Sequence, residues 1–268
     1  LESIVADRVL LGANLNTFDD CLTLAMQYGL GMEIQTFAYP DVLSGDWRAI
    51  LRDYKRKLVA LPGERAMHGP FIDMAAGSPD PLIREVVRAR IATAIDTAAE
   101  LQATTLVFHA NYIASMRNKV YRREFLQHQI EFWPELVARA ESLGITIVLE
   151  NMWEFTPQII LEVLEAINRP GLRACLDVGH ARLFSDPEHS IDDWIATMSP
   201  WLTHIHMNNN PGTVDEHRAL DDGVIDYKAV LPLLRALPQQ PTFSLEMSHV
   251  DAMRRSLPFL HLPVIAKR

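Results

Sequence analysis

Short apolar runs rich in β-branched residues recur along the whole chain, at 9–16, 31–36, 65–71, 104–111, 145–151, 172–180, 202–209 and 242–247. Several, such as ITIVLEN at 145–151, are apolar nearly throughout, the pattern of parallel strands buried on both faces. Helical patterns lie between them. The stretch 80–102 starts with Asp80 as N-cap and Pro81 at the first helical position. The stretch 121–144 ends on Gly144, suited to the position just past a helix. A third, 156–168, opens Thr156-Pro157. A shorter one, 226–237, carries Pro232 inside it, which predicts a kink or break there.

Strict alternation of strand and helix predicts an α/β protein with a parallel sheet. Eight units in 268 residues, about 33 residues each, match the size of one βα unit. The prediction is therefore a single (β/α)8 TIM barrel over residues 1–268. An open, doubly wound sheet is the alternative. It would normally carry a glycine-rich phosphate turn after an early strand, and neither GxGxxG nor GxxxxGK[ST] occurs. No linker, low-complexity tract or composition shift divides the chain.

Polar residues interrupt the strands at one end only. The C-terminal ends carry Glu33, His68, His109, Glu150, Asp177 with His180, His206 and Glu246, spaced 27 to 41 residues apart, close to the repeat length. In a barrel these ends converge on one face, where active sites are built. Like charges crowded there would repel. A divalent cation removes that cost, and His, Asp and Glu suit zinc, manganese or a similar metal. Taken alone, His68 or His109 reads as a hydrogen-bonded structural histidine, Asp177-Val-Gly-His180 as a turn, and Asp215-Glu216-His217 as a solvated loop tip. Glu150 and Glu246 resist such readings, because a carboxylate in a doubly buried strand needs a partner. The convergence of all of them is what points to a metal site.

Composition narrows the class. The chain is 49% hydrophobic and 22% charged, with a net charge of −9 and a pI of about 5.6. That is an ordinary globular composition, and its acidity weighs lightly against nucleic-acid or anionic-membrane partners. Cys21 and Cys175 make no disulfide framework. No signal-like start and no membrane-length apolar run is present. A cytoplasmic protein with no membrane partner is expected. The absence of an initiator methionine suggests trimming of the chain. Arg117, Lys119, Arg122 and Arg123 follow the fourth strand and read as a solvated helix start, with a phosphate contact as the alternative. His128, His189, His249 and His261 read as surface or packing residues, and no GxSxG or other nucleophile signature is visible.

HGPFIDMAAGSPD, LENMWE, LDVGHA, HIHMNNN…DEHRALDDGVIDY and SLEM together resemble the xylose isomerase-like TIM barrel superfamily. That group holds sugar phosphate isomerases and epimerases as well as endonuclease IV-type abasic-site nucleases, and the likeness covers nearly the whole chain. The resemblance to the epimerase, dehydratase and isomerase branches implies one divalent metal (Mn, Zn, Mg or Co) held by Glu150, Asp177, His206 and Glu246, with His180 contacting substrate. The resemblance to the nuclease branch implies more than one ion, with His68, His109, Asp215 and His217 as additional ligands. The flanking residues depart from the nucleases: Asn-Met-Trp follows Glu150, Ala-Asn follows His109, and Asn208-Asn209-Asn210 follows the last strand-end histidine. They also depart from the ketose 3-epimerases, whose arginine six residues after the histidine ligand is Gly212 here.

The resemblance implies a metal-dependent isomerase or epimerase, or a related dehydratase or lyase. It would act on a sugar, sugar phosphate or keto-inositol through a metal-stabilised enediolate. Glu150 and Glu246 would remove and return the proton, and His180 would orient substrate or shuttle a proton. Glu33, Asn111, Trp153 and Asn208, at or just beyond strand ends, are expected to contact substrate. The alternatives are a zinc phosphodiesterase acting at abasic DNA sites and a non-catalytic sugar-binding barrel. Retention of both glutamates argues against the latter, and the altered flanks argue against a nucleic-acid partner. The particular sugar, the metal and any homo-oligomer are left open.

Overall fold

The computed structural model describes residues 5–263. Eight strands close into a parallel barrel in chain order: β1 (Arg8–Ala13), β2 (Gly31–Ile34), β3 (Arg65–His68), β4 (Thr105–His109), β5 (Thr146–Glu150), β6 (Leu172–Asp177), β7 (Leu202–Met207) and β8 (Thr242–Leu245), with β8 pairing back to β1. The fold is the (β/α)8 TIM barrel that the alternation predicts.

Side-chain alternation along each strand explains the burial. Outward residues such as Phe108, Leu149, Leu176, Ile205 and Phe243 join the main core beneath the helices. Their neighbours turn into the barrel, where Val107, Val148 and Cys175 form a separate apolar cluster. Two residues further on, the same inward face carries His109, Glu150 and Asp177. Strand register sets these level with one another: His109 pairs with Glu150, and Asp177 with His206.

The outer layer comprises α1 (Phe18–Tyr28), α2 (Pro40–Ser44), α3 (Trp47–Lys57), α4 (Pro81–Leu101), α5 (Lys119–Ser142), α6 (Gln158–Ile167), α7 (Val178–Phe184), α8 (Ile191–Met198), α9 (Tyr227–Arg235) and α10 (Val250–Ser256). Asp80 caps α4 by accepting from the Leu82 amide, with Pro81 next to it, as its sequence predicts. Gly144 follows α5 with a φ of 74°, the left-handed turn for which glycine is suited. Of the kink or break expected at Pro232, the break does not occur. The helix α9 runs through it, and the carbonyl deprived of a partner belongs to Lys228 on the exposed side.

The strands stop short of the predicted ends. The run 172–180 is a strand only to Asp177, and α7 begins at once because the Asp177 side chain accepts from the His180 amide. His180 therefore sits in the first turn of a helix, and Glu246 lies one residue beyond β8. No described helix is long and apolar enough to cross a membrane.

The barrel is tight at the start of β2. A Cβ on Gly31 would lie 2.3 Å from the carbonyl oxygen of Glu64, which itself accepts from the Met32 amide. Backbone on both sides leaves little room to yield, so Gly31→Ala is expected to cost about 1–3 kcal/mol, the usual range for overpacking. Denaturant unfolding measures this, and an unchanged midpoint would show that the β2–β3 edge is loose.

Candidate metal centre and active site

Glu150, at the end of β5, is the hub of the site. Its Oε2 lies 3.2 Å from His68 Nε2 and 3.3 Å from His109 Nε2, and its Oε1 lies 3.2 Å from His206 Nδ1. His206 Nδ1 is also 2.9 Å from Glu246 Oε2. Four groups of metal-capable side chains result among the described residues: Glu150, Asp177, His206 and Glu246; His68, His109 and Glu150; His180, Asp215 and His217; and Cys175, His204 and His206. Within each group the ligand atoms lie within 4.8 Å of one another. In the third, His180 Nε2 and His217 Nε2 each stand 3.2 Å from one oxygen of Asp215.

The histidine tautomers follow from what lies behind each ring. His68 Nδ1 donates to the Gly69 carbonyl at 2.8 Å, His180 Nδ1 to that of Asn151 at 2.9 Å, and His217 Nδ1 to that of Glu246 at 2.9 Å. A carbonyl only accepts, so the proton sits on Nδ1 and Nε2 faces the carboxylate. His206 is turned the other way, with Nε2 on Glu33 Oε2 at 3.1 Å and Nδ1 towards the carboxylates. An imidazole lone pair and a carboxylate cannot face each other at these distances without a proton or a cation between them. His206 Nδ1, Glu246 Oε2 and Asp215 Oδ1 are buried with no hydrogen-bond partner. Imidazole nitrogen and carboxylate oxygen are donors for zinc and manganese, so these residues fit a divalent ion.

The electrostatics carry the same imprint. Burial opposes the charge on Glu150, but His206, His109 and His180 outweigh it and hold its carboxyl well below the ordinary value. Burial also opposes charge on Glu246, and His206 overrides it, pulling the carboxyl down to about 2. Asp177 goes the other way: burial, with Glu246 and Glu150 nearby, pushes it up to about 6. Burial disfavours the imidazolium of His217, yet Asp215 and Glu246 raise it to about 9. His206 and His180 are likewise raised well above the usual imidazole value by surrounding acids that outweigh burial.

A cavity of about 190 Å³ opens above the cluster, walled by Gln35, Ala38, Tyr39, Phe71 and Met152. Tyr39 and Phe71 meet edge to face at 5.9 Å. His68, His109, Asp215 and His217 line this cavity, as do Glu150, His180 and Glu246. The four residues expected at substrate lie elsewhere. Glu33 is fully buried beneath His206. Asn111 has a φ of 55°, and its amide is spent on the carbonyls of Phe71 and Met74. Trp153 points to solvent, 46% exposed, and Met152 takes the cavity position. Asn208 is buried and donates to Asp177 Oδ2 at 2.8 Å. None of the four lines this cavity, and Glu33, Asn111 and Asn208 are engaged by neighbouring polar groups.

Two members of the basic cluster after β4 are paired with acids: Arg117 with Asp186 and Arg122 with Glu162. Gln35 is not singled out by the sequence, and His204 is visible there only as one of the histidines alternating along β7. Gln35 Nε2 donates to Glu246 Oε1 at 2.7 Å, and His204 Nε2 lies 2.8 Å from Glu33 Oε2. Each lies two residues from a strand-end residue already noted, Glu33 and His206, so inward alternation is the signal that identifies them.

The closed (β/α)8 barrel with a polar cluster at its C-terminal face defines the class of fold. The profile of the xylose isomerase-like TIM barrel family matches residues 27–261, and the chain belongs to that family. It is 30% identical over 198 residues to the uncharacterized protein MJ1311 of Methanocaldococcus jannaschii, covering 71% of this chain and 67% of that one. The TTHB071 protein from Thermus thermophilus, solved after soaking with ZnCl2, superposes with a TM-score of 0.77 at 31% identity, covering 94% of this chain and 96% of that one. A D-tagatose 3-epimerase-like protein superposes with a TM-score of 0.77 at 22% identity, covering 94% of each chain, and shares the fold.

A proton on a ligand nitrogen competes with an ion. His206 and His180 are raised well above the ordinary value and His217 to about 9, so metal-free protein holds these protons at neutral pH. Affinity for zinc is therefore expected to rise with pH up to about 9, with more than one proton released per ion bound. Calorimetric titration in buffers of different ionisation enthalpy reads this directly. Binding without proton release, and independent of pH, would contradict the protonation pattern.

Proposed function

We propose that this chain is a divalent-metal isomerase or epimerase, or a closely related dehydratase, acting on a small sugar, sugar phosphate or keto-inositol. The observation that carries the reading is the pair Glu150 and Glu246, whose oxygens flank His206 Nδ1 at 3.2 and 2.9 Å beneath a cavity of about 190 Å³. Glu150, Asp177, His206 and Glu246 would hold the metal, which when bound supplies the positive charge that stabilises an anion formed beside a carbonyl. Likeness to the zinc-soaked TTHB071 protein and to the epimerase-like barrel supports this assignment.

The residues divide the work as follows. Glu246 is ionised, and Gln35 holds its Oε1 while Oε2 is left without a hydrogen-bond partner. It is the more accessible carboxylate, 16% exposed against 1% for Glu150, and suits removal of a carbon-bound proton. Glu150 is placed to return a proton from the β5 side. His180 Nε2, turned towards Asp215, borders the same cavity and suits contact with a substrate hydroxyl. Tyr39, Phe71 and Met152 limit the entry of water, which strengthens every charge interaction inside.

A second reading, phosphoester hydrolysis, draws on one specific feature: the His68–His109–Glu150 and His180–Asp215–His217 groups adjoin the first and add ligands that a one-metal isomerase does not need. Against a DNA substrate stand the net charge of −9 and the pairing of Arg117 and Arg122 with acids, which removes two cations from a phosphate track.

With zinc or manganese bound, a panel of ketoses, ketose phosphates and keto-inositols in heavy water is expected to show deuterium at one carbon of the true substrate. Glu246→Gln should lower turnover by roughly 100- to 10,000-fold, the usual worth of a general base. Metal-loaded protein that exchanges no proton across the panel would sink the isomerase reading. On duplex DNA with one abasic site, incision is expected to be absent. Efficient metal-dependent incision would put the hydrolytic reading first.

A further inference from the structure

Glu33 is a buried acid of the barrel interior that neither lines the cavity nor belongs to the Glu150, Asp177, His206 and Glu246 group. It is fully buried, and its Oε2 receives two imidazoles at once, His204 Nε2 at 2.8 Å and His206 Nε2 at 3.1 Å. Its Oε1 has no partner. The two rings stand edge to face, 5.1 Å apart and 77° from coplanar, and His204 is fixed from behind by Thr242 Oγ1. A carboxylate with no solvent and one unused oxygen is costly to keep.

We propose that Glu33 is a positioning residue for the metal centre: its Oε2, held by His204, accepts a hydrogen bond from His206 Nε2–H and so aims His206 Nδ1 at Glu150 and Glu246. This inference rests on the metal reading above. The geometry accounts for why His206 differs from its neighbours. His68, His180 and His217 find main-chain carbonyls for Nδ1 and present Nε2. His206 points down a strand whose own carbonyls are used in sheet pairing with β6 and β8, so its orienting acceptor must be a side chain. Glu33 supplies it from across the barrel, on β2. A hydrogen bond from a ligand histidine to a carboxylate fixes the ring and strengthens the ligand nitrogen as a donor. His204 is the second clamp, since it prevents the Glu33 carboxylate from rotating away.

The test uses Glu33→Leu, which removes the acceptor, and Glu33→Gln, which keeps an oxygen in place. Zinc affinity by chelator competition is expected to fall roughly 10- to 100-fold in the leucine variant, as for other outer-sphere partners, and to recover most of that loss in the glutamine variant. Nitrogen-15 imidazole spectra of the unmutated protein should show a slowly exchanging proton on His206 Nε2 with and without zinc. Wild-type zinc affinity in Glu33→Leu overturns the proposal, and so does a His206 protonated on Nδ1 alone. A role in stability only would lower the melting temperature of both variants and leave zinc affinity unmoved, which also overturns it. If the leucine variant does not fold, the glutamine variant and the spectra still decide. Should the unmutated protein bind no zinc, the metal reading falls, while the Nε2 proton still reports whether Glu33 holds the ring.

Discussion

The Glu150 carboxylate, 1% exposed, has His68, His109 and His206 within 3.3 Å of its two oxygens. Moving such a charge out of water costs several kcal/mol, and only well-placed partners return that cost. The partners come from β3, β4 and β7, so the interaction exists only if the whole barrel closes in the observed register. One residue of slip in any of these strands would turn its histidine outward, into the apolar layer beneath the helices. Closure of the barrel and assembly of the polar cluster are thus one event.

Around this hub, polar residues at the strand ends act mainly as scaffolding. Asn151 holds the Asp177 backbone from both sides, its amide donating to the carbonyl and its oxygen accepting from the N–H. Asn208 binds the Asp177 side chain, Asn209 donates to the carbonyls of Leu220 and Ile225, and Asn210 donates to that of Gly179. These bonds fold the β7–α9 loop back over the barrel and deliver Asp215 and His217 to the cavity. Glu154 does the same between the loops after β4 and β5, accepting from the Tyr112 and Met152 amides. A loop pinned in this way loses little freedom when a ligand arrives, which is what preorganisation requires.

The barrel hosts many chemistries, and membership of the family does not select among them. What separates this site from a bare scaffold is the contrast between two environments. Glu246 is held ionised by His206, while Asp177, deeper and flanked by acids, is pushed up to about 6.

Much of this was legible in the residues. The eight apolar runs and the repeat length led to the barrel, because alternating burial and a constant βα unit are written locally. The strand-end residues Glu150, Asp177, His206 and Glu246 stood out because charged groups in apolar strands need partners, and the structure brings them together. Local pattern also misled. Pro232 leaves α9 unbroken, with Lys228, whose carbonyl loses its partner, an exposed residue, and exposure is a property of the packed molecule. Glu33, Asn111, Trp153 and Asn208 share the sequence positions of substrate residues, yet each is committed to a distant group or turned to solvent. His204 and Gln35 acquire their roles only through partners more than 160 residues away, Glu33 and Glu246. Sequence determines which side chains face inward, because strand periodicity is local. Which inward side chains bond to each other and which meet the cavity depends on distances across the closed barrel, and those exist only in three dimensions.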